Sequence, residues 1–266
     1  MTTHKILYTI GYTIFQNEKG LNLDYMFNYL KEHNVSYIVD VRSIPFSKQY
    51  PQCNADCMKI VGKRYGIPYI HMPELGAKAD ASQDVFSRAS DIFFDDIFPI
   101  AKSNRPEKTE LVAIDEIVDF NKFRNSEYFK DGLKRIEKAY DNNYTLCLMC
   151  SESNPMDCHR YFLISKTIEL KFGDWLEIEH IIKNDNGELT TISNKKLNNL
   201  FINNILNKDV VKNLDILSIP LFGTSCLDNY FGDTQEDKIC DFCDRYWNLI
   251  HGWKKYNDIN IIEDYD

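Results

Sequence analysis

Tyr144-Thr145-Leu146-Cys147-Leu148-Met149-Cys150-Ser151-Glu152-Ser153-Asn154-Pro155-Met156-Asp157-Cys158-His159-Arg160 is the stretch whose reading decides the fold. Its first seven residues form a largely apolar run, as in a parallel strand covered on both faces. The polar residues from Ser151 break that run, and the spacing predicts a helix from Pro155 to Lys171, ended by Gly173. Asn154 suits the N-cap, Pro155 the first helical position, and Asp157 the third, close to a capping box. Strand, loop and helix in this order form the repeating unit of an α/β protein. Ligands in such proteins gather beyond the carboxyl ends of the strands.

The chain upstream repeats the unit. Lys5 to Tyr12 reads as a strand interrupted by Gly11, Leu23 to His33 as a helix after a possible Asn22 cap, and Ser36 to Ser43 as a strand stopped by Pro45. Ala55 to Tyr65 reads as a helix ending at Gly66, and Pro68 to Met72 as a strand. Helices are expected at Val85–Phe98, Leu111–Phe120 and Tyr128–Tyr140, with a break at Asn104-Arg105-Pro106. Trp175 to Ile182 is a further strand, leading to a turn at Asn184-Asp185-Asn186-Gly187. Alternating strands and helices imply an α/β fold with a mostly parallel, Rossmann-like sheet and helices on both faces. Residues 1–190 are expected to form this core and 191–266 a mainly helical C-terminal extension packed on it, with helices near Asn194–Leu206 and Glu236–Trp253.

Composition limits the function classes. The net charge is −9, and after Cys226 ten acidic residues face four basic ones, so the first 225 residues are close to balanced. A chain of this kind lacks the broad basic footprint of non-specific DNA binding, which disfavours nucleic acid without excluding a local basic cleft. Apolar runs fall short of the ~18 residues of a membrane span, and Met1-Thr2-Thr3-His4-Lys5 leads into a strand rather than a signal peptide, so a cytoplasmic protein is expected. The eight cysteines are then thiols, metal ligands or core residues before they are disulfides.

Parallel strands would bring polar residues to one edge of the sheet: Tyr12 after the first; Asp40, Arg42 and Ser47 at and after the second; His71 and Glu74 from the third; Cys150, Ser151 and Glu152, then Cys158, His159 and Arg160, from the fourth. A helix N-terminus with Arg160 and His159 nearby favours a thiolate, which makes Cys150 and Cys158 candidate reactive groups. Glu152 and His159 are candidate proton-transfer groups. Arg42 and Arg160 are candidates to hold an anionic substrate, because a guanidinium fork suits phosphate or carboxylate. Asp40, between Val39 and Val41, needs a partner, either Arg42 or Arg160 in an ion pair or a catalytic group it orients. Cys147 alternates to the opposite face from Cys150 and is expected in the core. Cys240 and Cys243 are expected on the inner face of a helix with Trp247. The Cys53/Cys57 and Cys240/Cys243 pairs lack a second pair at zinc spacing, although Cys226 or His251 could add to the latter.

These motifs resemble those of the domain-of-unknown-function 488 family (DUF488). The matching pieces are Thr9-Ile10-Gly11-Tyr12, Val39-Asp40-Val41-Arg42-Ser43-Ile44-Pro45-Phe46-Ser47, Gly66-Ile67-Pro68-Tyr69-Ile70-His71 with Leu75-Gly76, Leu148-Met149-Cys150-Ser151-Glu152 with Cys158-His159-Arg160, and His180-Ile181. The resemblance implies an α/β fold and marks Asp40, Arg42, Cys150, Glu152, Cys158, His159 and Arg160 as motif positions. It implies no reaction. Cys53 is a departure, standing where the family usually has an aromatic. A weaker similarity in layout is to rhodaneses, which carry Asp-Val-Arg on an early strand and a catalytic Cys at a strand end, as Asp40-Val41-Arg42 and Cys150 do here. The loop before Cys158 does not match the rhodanese cradle in spacing, so this likeness is one of fold alone.

The function expected from these residues is that of a thiol-dependent enzyme acting on a small anionic or nucleotide-like substrate, with Cys150 as nucleophile or redox thiol. The alternatives are a metal-binding protein using Cys150, Cys158, His159 and His180, and a nucleotide or nucleic-acid binding module without turnover. No cofactor is identified by the sequence.

Overall fold

The computed structural model describes residues 4–79, 83–92, 116–207 and 231–252. Cys226, the segment 215–222, the Asn104-Arg105-Pro106 break and much of the helices expected around 85–98 and 111–120 lie outside that range. A six-stranded sheet organises the first unit: β1 (Lys5–Gly11), β2 (Tyr37–Asp40), β3 (Tyr69–His71), β4 (Leu146–Cys150), β5 (Leu176–Lys183) and β6 (Leu189–Ser193). Their spatial order is β6-β5-β1-β4-β2-β3. All neighbouring pairs are parallel except β5 with β6, which are joined antiparallel through the Asn184–Gly187 turn. The sheet is thus mixed and mostly parallel, flanked by helices, and the described C-terminal residues carry the helices Asn194–Leu206 and Gln235–His251, as the sequence leads one to expect.

Each element has a local cause. All five residues of β4 are buried, because strands cover it on both sides and helices flank the sheet. In α1 (Leu23–Glu32) the Asn22 side chain accepts from the Tyr25 N–H at 2.9 Å, and Leu23, Met26, Phe27 and Leu30 make the buried stripe. α2 (Ala55–Tyr65) stops at Gly66, whose φ of 74° is left-handed and suits a residue without Cβ. α3 (Glu127–Asp141) is capped by Ser126 and buries Phe129, Leu133, Ile136 and Tyr140. Cys147 and Met149 share a core with Ile10, Met26, Phe27 and Met58. Strand alternation therefore sends Cys150, two residues beyond Leu148, to the opposite face from Cys147.

The chain divides into two compact units, one formed by Met1–Lys78 with Arg124–Lys196 and the other by Ala79–Phe123 with Leu197–Asn257. Ala79–Phe123 thus groups with the C-terminal segment, in addition to the core of 1–190 and extension of 191–266 expected from the sequence. Phe86–Arg88 and Glu116–Val118 pair as antiparallel strands, where helices were expected. The apolar, partly β-branched character of Val85-Phe86 and Ile117-Val118 favours extended pairing over a helix. Asn248, in the helix Gln235–His251, accepts from the Phe120 N–H at 2.9 Å and donates to the Val118 carbonyl at 2.8 Å, which binds the two segments of this unit together. Cys243 and Trp247 are buried in that helix, with Cys240 half-buried.

The helix expected from Pro155 to Lys171 is broken into three pieces. Pro155–Asp157 is a single 3₁₀ turn, Cys158 is extended, and Arg160–Ser165 is a π-helical turn that runs into α4 (Lys166–Phe172). Ser165 Oγ donates to the Arg160 carbonyl five residues back at 2.7 Å. Irregular turns of this kind tend to occur at functional sites.

Candidate functional site

β4 ends between two neighbours. Cys150 is in register with Gly11 of β1, and the Met149 carbonyl accepts from the Val41 N–H just past β2 at 3.0 Å. Past Cys150 the chain folds back over β1, close enough that a Cβ on Gly11 would lie 1.7 Å from the Glu152 carbonyl oxygen. Glycine is required there for space, since its backbone is not left-handed. Thr13 fixes the same loop, its Oγ1 donating to the Ser151 carbonyl at 2.6 Å. Arg160, with no solvent exposure, donates from Nη1 to the Glu152 carbonyl at 2.7 Å and from Nη2 to the Ser153 carbonyl at 3.3 Å. Three successive carbonyls are thereby held, and the loop presents its side chains in a fixed order.

Four of those side chains meet. Cys150 Sγ donates to Glu152 Oε2 at 2.9 Å, while Glu152 Oε1 accepts from Ser151 Oγ at 2.9 Å. His159 Nε2 lies 3.0 Å from the Val41 carbonyl. A carbonyl only accepts, so Nε2 carries the proton and Nδ1 of the neutral ring presents a lone pair. That Nδ1 lies 3.9 Å from Cys150 Sγ and 3.9 Å from Cys158 Sγ. Both thiols are 2% exposed, whereas Glu152 is exposed and His159 half-buried, so the cluster meets solvent on the Glu152–His159 side.

The two thiols are driven apart in acidity. Burial would raise the Cys158 pKa, but the neighbouring Cys150 thiol and the nearby Arg160 and His159 charges bring it well below the usual thiol value. The Cys158 Sγ also accepts, at 3.5 Å, from the Arg160 N–H at the start of the π-helical turn. Cys150 is pushed up by the neighbouring Cys158, by burial and by the Glu152 carboxylate. For Glu152, burial works upward but the two thiols and His159 outweigh it, taking its pKa down to about 2. Burial alone would lower the His159 pKa, yet Cys158 and Glu152 raise it. The cluster thus favours thiolate at Cys158, thiol at Cys150, carboxylate at Glu152 and imidazolium at His159.

The remaining candidates occupy a second cluster. Asp40, fully buried, accepts from Arg42 Nε at 2.9 Å, from Arg42 Nη2 at 2.5 Å and from Tyr69 Oη at 2.6 Å. Arg42 Nη2 also donates to the Cys53 carbonyl at 2.7 Å, and its guanidinium lies 5.3 Å from the centre of the Tyr12 ring. Tyr12 is hydrogen-bonded to Ser47, whose Oγ also accepts from the Tyr50 N–H. His71 Nε2 donates to the Arg42 carbonyl at 2.8 Å. Asp40 therefore pairs with Arg42. Arg42 and Arg160, expected to hold an anion, have buried guanidinium groups that donate to Asp40 and to backbone carbonyls, while Arg42 Nη1 and Arg160 Nε are buried without a hydrogen-bond partner. Glu74 pairs with Arg135.

Three donors could take a metal ion: Cys150 Sγ, Cys158 Sγ and His159 Nδ1 lie within 4.8 Å of one another. His180, considered as a further ligand, has both ring nitrogens occupied, by Thr9 Oγ1 at 2.7 Å and Asn194 Oδ1 at 2.9 Å. Cys53 is buried and Cys57 exposed, so these two do not face one site. Sequence reasoning missed Thr13 and the Val41 carbonyl. A backbone carbonyl leaves no mark in a sequence, while Thr13, just after the first strand, is within reach of the loop.

The family model described as "Domain of unknown function DUF488" matches residues 22–166, more than half of the chain. The chain belongs to the DUF488 family. The DUF488 match contains Asp40 to Arg160 of the two clusters, while Gly11, Tyr12, Thr13 and His180 fall outside it. Neither the search of curated proteins nor that of solved structures gave a match. Among the described residues, no helix is long and apolar enough to cross a membrane.

Proposed function

We propose that this DUF488 protein is a thiol-dependent enzyme of the cytoplasm, acting on a small substrate that reaches Cys158 across the open Glu152–His159 side. The observation that carries the reading is the placement of His159 Nδ1 at 3.9 Å from each sulfur while its Nε2 proton is spent on the Val41 carbonyl. A ring held in this tautomer accepts the thiol proton and stays beside the resulting thiolate, as an activated cysteine nucleophile requires. Cys150, protonated and hydrogen-bonded to Glu152, is placed as the adjoining proton donor. The sequence alone pointed first to Cys150 as nucleophile; the extended Cys158 beside the Arg160 N–H and His159 supports Cys158 instead.

Iodoacetamide labelling of the full chain tests this. Cys158 is expected to react at pH 6.5 at least about tenfold faster than exposed Cys57, because Arg160 and His159 beside it favour its thiolate. The fast phase should vanish in Cys158→Ser and slow in His159→Gln. Labelling of Cys158 no faster than Cys57 would sink the proposal. Stoichiometric zinc in protein purified without added metal would replace it with the metal-binding alternative.

A further inference from the structure

Acyl or phosphoryl transfer by a cysteine needs one thiol, yet this site holds two. Both are 2% exposed, both face the same imidazole nitrogen at 3.9 Å, and their sulfurs lie no more than 4.8 Å apart. The second is joined to its own carboxylate, with Cys150 Sγ 2.9 Å from Glu152 Oε2. A buried thiol oriented by a carboxylate, beside a second thiol that shares its imidazole, is the equipment for two successive nucleophilic attacks.

We propose that Cys158 and Cys150 act as an attacking and a resolving thiol in dithiol–disulfide exchange, with a small disulfide as the substrate class. The inference rests on the thiol-dependent reading above. In the first step the Cys158 thiolate attacks one sulfur of the substrate disulfide; a Cys158–substrate disulfide forms, the substrate S–S bond breaks, and the other half leaves as a thiolate. That thiolate takes the proton of the His159 imidazolium, whose freed Nδ1, 3.9 Å from Cys150 Sγ, then takes the Cys150 proton, and the Cys150 thiolate attacks Cys158 Sγ. The Cys150–Cys158 disulfide forms, the mixed disulfide breaks, and the second half leaves as a thiolate that recovers the proton from His159. Two electrons pass from the protein dithiol to the substrate disulfide, and a dithiol reductant in the reverse sense restores the reduced site. The two sulfurs start within 4.8 Å of one another, with Cys158 at the junction between the 3₁₀ and π turns.

The test uses oxidised glutathione on the reduced full-length chain at pH 7, quenched with alkylating agent and mapped by peptide mass spectrometry. The wild type should yield a Cys150–Cys158 disulfide with loss of two hydrogens, and Cys150→Ser should stop at a glutathione adduct on Cys158. In Glu152→Gln the adduct on Cys158 should still form, while closure to the disulfide slows several-fold as Cys150 loses the carboxylate that orients it. Wild-type protein that stays reduced, or halts at the adduct, while Cys158 still reacts rapidly with iodoacetamide overturns the dithiol inference and leaves the thiol-dependent reading standing. Slow alkylation of Cys158 overturns both. The wild-type mapping decides the matter even if Cys150→Ser does not fold.

Discussion

Two polar clusters stand at the carboxyl edge of the same sheet, one strand apart, and they use buried charge in opposite ways. At the end of β2, Asp40 accepts from both the Nε and Nη2 of Arg42 and from Tyr69, and Arg42 also reaches the Cys53 carbonyl. Its acid and base neutralise each other, with Arg42 Nη1 left without a hydrogen-bond partner. At the end of β4, Cys150, Cys158, Glu152 and His159 hold protons that can be redistributed among them, and one side of the cluster is open. A satisfied ion pair between rigid partners is structural, whereas weak acids of competing pKa in contact are chemical. His159, whose Nε2 holds to the Val41 carbonyl, links the two, so the first cluster positions the second.

The largest effect that would sharpen this contrast is on stability. Asp40→Asn leaves the 6%-exposed Arg42 cation without its counter-charge, and is expected to cost about 3–5 kcal/mol in urea unfolding. Glu152→Gln, on an exposed residue, should leave the unfolding midpoint close to wild type while altering thiol chemistry. Comparable losses from both variants would break the distinction. Gly11→Ala comes next. Its Cβ would overlap the Glu152 carbonyl, so the loop must lift from β1 and release its contacts to Thr13 and Arg160. Fast alkylation of Cys158 should be lost along with stability, and an unchanged alkylation rate would show that the loop does not position the site.

A third test concerns acid. His180 is buried between Thr9 and Asn194, and burial takes its pKa down to about 3. The native state therefore refuses a proton that the unfolded chain accepts at the ordinary value of about 6.5. The stabilising contribution is fully present above pH ~6.5 and is lost as pH falls from there toward 3, at about 1.4 kcal/mol per pH unit. Urea unfolding of the wild type and His180→Gln between pH 7 and 5 should show the wild type losing stability more steeply. Parallel pH profiles would mean that His180 titrates normally.

The fold was legible where burial writes itself into side-chain type. β4 shows as an apolar run, α1 as an Asn cap and a four-residue stripe, and the β5–β6 turn as Asn-Asp-Asn-Gly. Legibility failed where backbone atoms decide. The apolar pattern from Tyr161 to Ile168 fits a regular helix as well as a π turn, so the break at Cys158 could not be seen. The fates of Arg42 and Arg160 were hidden for the same reason, since three of their partners are the carbonyls of Cys53, Glu152 and Ser153. Strand spacing alone placed Cys150 at the carboxyl edge of the sheet, but the ranking of the two thiols needed the Arg160 N–H beside Cys158 and the Glu152 carboxylate beside Cys150.

The smallest expected effect tests whether the two clusters are separable at all. His71 belongs to the Asp40–Arg42 side, donating from Nε2 to the Arg42 carbonyl at 2.8 Å while half-buried. His71→Ala removes that hydrogen bond but leaves the ion pair itself intact and a carbonyl that solvent can reach. The loss in unfolding free energy should be about 0.5–1.5 kcal/mol, the net worth of one ordinary hydrogen bond. The Cys158 alkylation rate should not change, because His159 holds to Val41, and the chain from Val41 to Arg42 is fixed by the Arg42 N–H to Asp40 at 3.0 Å as well as by His71. A several-fold fall in that rate would instead show that a shift at Arg42 passes through one peptide to the His159 ring, making the structural cluster part of the chemical one.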